Sequence, residues 1–94
     1  MRISFQERQA IVQAVHFVDP QAQIYLYGSR ADDNTLGGDI DILLMSDKIK
    51  LMSKLDILVN LRRHLGDRKI DLTVYPDASK PFAKIALENG ILLN

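Results

Sequence analysis

The sequence predicts an α/β (α+β) domain in which a small mixed sheet of three to four strands is flanked by helices. Three observations carry that expectation. Stretches with helical apolar spacing alternate with short runs rich in β-branched and aromatic residues, two of those runs are apolar enough to be covered on both faces, and Gly and Pro fall at element ends rather than in a linker. At 94 residues the chain is long enough for one core without disulfides or a structural metal, so a single domain over residues 1–94 is expected.

Each element has a local reason. Ser4 followed by Glu7 has the spacing of a capping box, and Ile11, Val12, Ala14, Val15 and Val18 recur at helical intervals until Asp19-Pro20 stops them. Gln23–Tyr27 reads as a buried strand that runs into a tight turn at Gly28-Ser29, where a helix or helical turn is expected to open. After a loop rich in Asp, Asn and Gly, Asp39–Met45 alternates and then becomes wholly apolar, as suits a central strand. Lys48–Leu65 is helical, with Leu51, Leu55, Leu58 and Leu65 on one stripe flanked by Met52 and Val59, and Gly66 in place as its C-terminal cap. Lys54 and Arg62 intrude on that arc; burial is the simpler explanation of the stripe, and a partner surface is the alternative. Lys69–Tyr75 is the third strand, Pro76-Asp77 a turn, and Pro81–Asn89 a last helix ended by Gly90. The tail Ile91-Leu92-Leu93 either docks on the domain's own sheet or is covered by another chain.

Composition excludes several functions. Twelve basic and twelve acidic residues give no net charge, so the basic footprint of a nucleic-acid-gripping domain is absent. Without cysteine there is no thiolate metal cage and no thiol nucleophile. The start MRISFQERQA is unlike a signal peptide, and no apolar run approaches the roughly 20 residues that cross a bilayer, so a soluble, cytoplasmic protein is expected.

The residues that bear chemistry are acids. Asp39 and Asp41 are two apart on a strand, so both side chains leave the same face while Ile40 and Ile42 leave the other. Paired carboxylates in an apolar strand repel and lose hydration unless a cation sits between them. Asp71, enclosed by Ile70, Leu72 and Val74, is in the same predicament. Oxygen ligands alone suit magnesium or manganese, which keep positions open for water and phosphate. Upstream, Gly28 and Ser29 offer backbone N–H groups and a hydroxyl to an anion, and Arg30 adds a fork of donors for phosphate oxygens. An anion cradle beside a divalent-cation seat describes a nucleoside triphosphate with its metals. His16 and His64 read as structural or surface residues, Tyr25 and Tyr27 as packing against helices with stacking toward the base as the alternative, and Arg62, Arg63 and Arg68 as a solvated face with an acceptor-protein contact as the alternative.

These segments resemble the minimal nucleotidyltransferase family, single-domain members of the DNA polymerase β-like superfamily. The resemblance covers nearly the whole chain: Tyr25-Leu26-Tyr27-Gly28-Ser29-Arg30, a loop over 30–38, Asp39-Ile40-Asp41-Ile42-Leu43-Leu44, then Lys69-Ile70-Asp71-Leu72-Thr73-Val74, with Phe82–Ile85 and Asn89–Leu92 like the family's last helix and exit. It departs in having Gly37-Gly38 before Asp39 where many members have Ser-Asp, which removes a hydroxyl that could orient the first carboxylate. The loop is also short and lacks a second Arg, which bears on triphosphate affinity and base choice.

The resemblance implies a polymerase β-like fold and transfer of a nucleoside monophosphate from a triphosphate, ATP by expectation, with release of pyrophosphate. Asp39, Asp41 and Asp71 would be the catalytic and metal-binding residues, holding two Mg2+ ions or Mn2+, and Gly28, Ser29 and Arg30 would bind the nucleotide phosphates. Family members of this size commonly occur beside a HEPN toxin, and some neutralise it by adding adenylate to a tyrosine. An antitoxin-like protein adenylyltransferase is therefore expected, with no residues left over for a second domain to grip the acceptor. A homo-oligomer or complex is expected from the apolar surface of the long helix and the tail, and direct nucleic-acid or membrane binding is not. Two alternatives stay open: a non-catalytic nucleotide-binding module, and a small-molecule nucleotidyltransferase whose acceptor site another subunit completes.

Overall fold

A computed structural model of the protein describes residues 3–28, 39–66 and 68–94. Their elements run in the order α1 (Phe5–Val18), β1 (Gln23–Tyr27), β2 (Ile40–Met45), α2 (Leu51–Leu65), β3 (Ile70–Tyr75), α3 (Pro81–Asn89) and β4 (Ile91–Leu92). The four strands form one mixed sheet in the order β3-β2-β1-β4. β1 is antiparallel to both β2 and β4, whereas β2 and β3 are parallel and joined by the crossover helix α2. The expected α+β architecture is the one observed. The helical turn expected after Gly28 lies outside the described residues.

Strand periodicity divides the core into two layers. Ile24, Leu26, Ile40, Ile42, Leu44, Ile70 and Leu72 leave one face and pack beneath Ile11, Ala14 and Val15 of α1 and Ile57, Leu61 and Leu65 of α2. Leu43 and Met45 leave the other face with Tyr25, Tyr27 and Tyr75, and meet Ala83 and Ala86 of α3. β2 is thus covered on both sides, which explains its unbroken apolar run.

The capping box of α1 forms as its spacing predicts: Ser4 Oγ accepts from Glu7 N–H, and Glu7 Oε1 accepts from Ser4 N–H. Glu7 also pairs with Arg68, tying α1 to the segment that enters β3. The tail docks on the domain's own sheet. Leu92 and Ile91 pair with Tyr25 and Leu26, Leu93 N–H donates to Ile24 O, and the Asn94 side chain accepts from Ile24 N–H and donates to Ala22 O.

Two expectations about the long helix are corrected. It begins at Leu51 rather than Lys48, because Ser46 Oγ accepts from the N–H groups of Lys48 and Ile49 and holds that segment in a turn. Ser46 in turn donates to buried Asp19 at 2.6 Å. Of the predicted stripe and its flanks, Leu65 is buried and Leu58 half-buried, but Leu51, Met52, Leu55 and Val59 are 69, 69, 45 and 56% exposed. The face turned to the sheet is Ile57, Leu61 and Leu65, with Leu58 at its margin. The apolar arc is wider than the contact with α1 and the sheet, so only its far side is covered. Among the described residues no helix is long and apolar enough to cross a membrane.

Candidate active site

Parallel pairing of β2 and β3 sets Asp41 directly beside Asp71, and antiparallel pairing of β1 sets Tyr27 on the other side of Asp41. Tyr27, Asp41 and Asp71 thus form one row across three strands. They leave the sheet on the face that carries α3, which covers Leu43, Met45 and Tyr75 further along and leaves the acids at the open end. Asp39, exposed, precedes β2 by one residue rather than lying within it, and Gly28 closes β1 at the same end of the sheet.

Asp41 and Asp71 approach closely enough for their carboxyl groups to hydrogen-bond. Burial, that hydrogen bond, and the charges of Asp71 and Asp39 all raise the Asp41 carboxyl above the ordinary aspartate range, with Lys69 opposing. Lys69 Nζ stands 4.0 Å from Asp71 Oδ2, and both side chains are substantially solvated, so its compensation is weak. A divalent cation between the two carboxyls would relieve their repulsion. Gly28 makes room for this arrangement: its φ of 72° lies in the left-handed region, and a β-carbon there would stand 2.6 Å from Asp41 Oδ2.

Tyr27 forms one wall. Its ring meets Phe82 edge-on at 5.8 Å between centroids, and Phe82 also meets Tyr75 at 6.2 Å. Burial raises the Tyr27 phenol, a hydrogen bond with Thr73 lowers it, and the charges of Asp41 and Asp71 raise it again, so Tyr27 is a neutral phenol beside the acids. Packing against a helix is the main expectation for Tyr27, with stacking toward the base the alternative; the structure puts it both against α3 and beside Asp41. The signal was its place immediately before Gly28, opposite Asp41 once the strands are paired.

Of the six residues singled out from the sequence, Asp41 and Asp71 are brought together, Asp39 is near enough for its charge to act on Asp41, and Gly28 touches the site. Ser29 and Arg30 lie outside the described residues. Among the described residues no three His, Cys, Asp or Glu side chains converge as a metal site. The convergent part is the Asp41–Asp71 pair, and its donor set fits magnesium, which is commonly held by one or two carboxylates with water and phosphate completing the shell. A cavity of about 400 Å3 between α1 and the tail, lined by Phe5, Arg8, Gln9, Val12, Gln13 and Leu93, contains none of these acids.

The site is thus a pair of neighbouring aspartates at one end of a mixed sheet with helices on both faces. The family model described as polymerase beta, nucleotidyltransferase matches residues 10–94, and the chain belongs to that family. No curated protein matches it. The fold is the polymerase β-like nucleotidyltransferase fold, and the family supports nucleotidyltransferase activity.

Proposed function

We propose that this protein is a metal-dependent nucleotidyltransferase of the minimal type, which transfers AMP from ATP to a hydroxyl, most specifically a tyrosine, of a partner HEPN toxin and thereby acts as an antitoxin. The observation that carries the reading is the Asp41–Asp71 pair: adjacent, partly desolvated carboxyls in register on parallel strands, for which the fold has no structural use. The antitoxin role rests on the resemblance of the sequence to small family members.

Asp41, Asp71 and Asp39 would hold the divalent ions, which when bound supply charge neutralisation for the triphosphate and for the attacking oxygen. Asp71, whose side chain is 46% exposed, would take the acceptor proton. As the acceptor oxygen bonds to the α-phosphorus, the bond from that phosphorus to the bridging oxygen breaks and pyrophosphate leaves. Gly28, Ser29 and Arg30 would bind the departing phosphates. Tyr27, edge-on to Phe82, presents a neutral aromatic flank beside Asp41.

The test is the intact mass of the protein encoded by the adjacent gene after incubation with this chain, magnesium and each nucleoside triphosphate. One added adenylate or more, absent with Asp41→Asn and with Asp71→Asn, is the expected result. A stable complex with no mass gain would make this a binding module.

A further inference from the structure

β3 is the last strand on one side of the sheet and pairs with β2 over its whole length, from Ile40↔Ile70 to Met45↔Tyr75. The parity of that pairing is fixed: Ile40 N–H donates to Lys69 O, and Ser46 N–H donates to Tyr75 O. In a parallel ladder, a residue that bonds to its neighbour sends both N–H and C=O to that side, and the next residue sends both away. Asp71 and Thr73 therefore turn their main chain to β2. Ile70, Leu72 and Val74 turn theirs to the outer edge.

Among the described residues no strand pairs with that edge. The strand sequence IDLTVY holds no Pro, Lys or Gly, and its one charge, Asp71, lies on the face of the site. Three outward N–H and C=O pairs in a row are complementary to an extended backbone. The strand that offers them also carries Asp71, whose side chain is 46% exposed.

We propose that the outer edge of β3 receives an extended segment of the acceptor polypeptide as an antiparallel fifth strand, which delivers a hydroxyl to Asp71. This rests on the transfer reaction proposed above. Because Asp71 bonds inward, the acceptor residue across from it falls in a non-hydrogen-bonded pair, the closer of the two cross-strand geometries. Its side chain leaves the same face as Asp71, with β-carbons about 4.5–5.5 Å apart. A serine or threonine there lies beside the Asp71 carboxyl. A tyrosine reaches it from the diagonal position opposite Thr73, where cross-strand spacing of about 7–8 Å suits an aromatic side chain. Sequence around the acceptor hydroxyl would matter little, because main-chain groups make the contact.

The test uses the capped peptide Lys-Val-Thr-Val-Tyr-Val-Thr-Lys and the 15N-labelled chain. In the free protein, the amides of Ile70, Leu72 and Val74 should exchange with solvent fast while those of Asp71, Thr73 and Tyr75 are protected. Millimolar peptide, without nucleotide, should shift and protect the first three. Val74→Pro, which removes one outward N–H and no ladder bond, should weaken peptide binding about five- to tenfold, the effect of one backbone hydrogen bond. Val74→Ala, which keeps the N–H, should not. Shifts confined to α2, no shift at all, or edge protection in free protein that grows with its own concentration would overturn the inference. Peptide binding at the edge without adenylate transfer to any acceptor would leave the edge as a strand-docking site, remove the proposed reaction and overturn the delivery of a hydroxyl to Asp71. Transfer to a protein acceptor that is unaffected by Val74→Pro would overturn the inference and leave the proposed reaction standing.

Discussion

Gly28 and Asp41 are in contact across β1 and β2, such that a β-carbon on residue 28 would lie 2.6 Å from Asp41 Oδ2. Two demands meet at one residue: the backbone turns with φ 72°, and the carboxylate occupies the space a side chain would take. Gly28→Ala should therefore cost about 1–2 kcal/mol from the left-handed backbone alone. It should also displace Asp41 and lower nucleotidyl transfer by far more than the unfolded fraction explains. Urea unfolding and pyrophosphate release, measured on the same preparation, separate the two effects.

The paired acids should make the metal-free protein less stable than it could be. The Asp41 carboxyl is raised above its ordinary value, so the folded state binds protons more readily than the unfolded chain. Its contribution is fully present below the unfolded value and is lost as pH rises through the folded one. Asp41→Asn should accordingly raise the melting temperature at neutral pH, with an advantage that shrinks on acidification, while abolishing transfer. Thermal melts from pH 4 to 8 check this. Magnesium should raise the wild-type midpoint and leave the variant's unchanged.

Local spacing made much of the fold legible, and only local spacing. The Ser4–Glu7 capping box, the stop at Asp19-Pro20 and the strand ending at Gly28 depend on neighbours in the chain, and these features are present. The adjacency of Asp41 and Asp71 depends on the α2 crossover bringing distant strands into register, which no spacing encodes. The predicted stripe of α2 includes buried Leu65 but omits Ile57 and Leu61, which face α1 and the sheet, because an apolar arc this wide does not say which of its sides the fold covers. The start of α2 was misread because Ser46 competes for the amides of Lys48 and Ile49.

Ser46 joins the end of β2, the entry to α2 and the end of α1 through buried Asp19. Ser46→Ala should cost about 1–3 kcal/mol, because it leaves Asp19 and two amides short of a partner. The Ser46 hydrogen bond holds the Asp19 carboxyl below its ordinary value, so its stabilisation is present above the unfolded value and is lost as pH falls through the folded one. Asp19→Asn should flatten the acid limb of the stability curve. Chemical denaturation between pH 3 and 7 shows whether it does.

Asn94 stitches the tail to β1, accepting from Ile24 N–H at 2.9 Å and donating to Ala22 O at 2.9 Å, with His16 Nε2 3.1 Å away. Asn94→Ala should lower stability by about 1–2 kcal/mol, as expected for the loss of partly exposed hydrogen bonds. Hydrogen exchange should report the loss first at Ile24 and Leu93, while the amides of Asp41 and Asp71 stay protected. Equal deprotection of all four would mean that the tail supports the whole sheet.

The central claim is that Asp41 and Asp71 form a seat for a divalent cation. Manganese titrated into the 15N-labelled protein tests it most directly, because the ion broadens the resonances of amides near it. The account predicts that broadening starts at Gly28, Asp41 and Asp71, spreads to Tyr27 and Ile42, and disappears in Asp41→Asn. Broadening centred on other acids, such as Asp77 or Glu88, and unchanged in Asp41→Asn would contradict it.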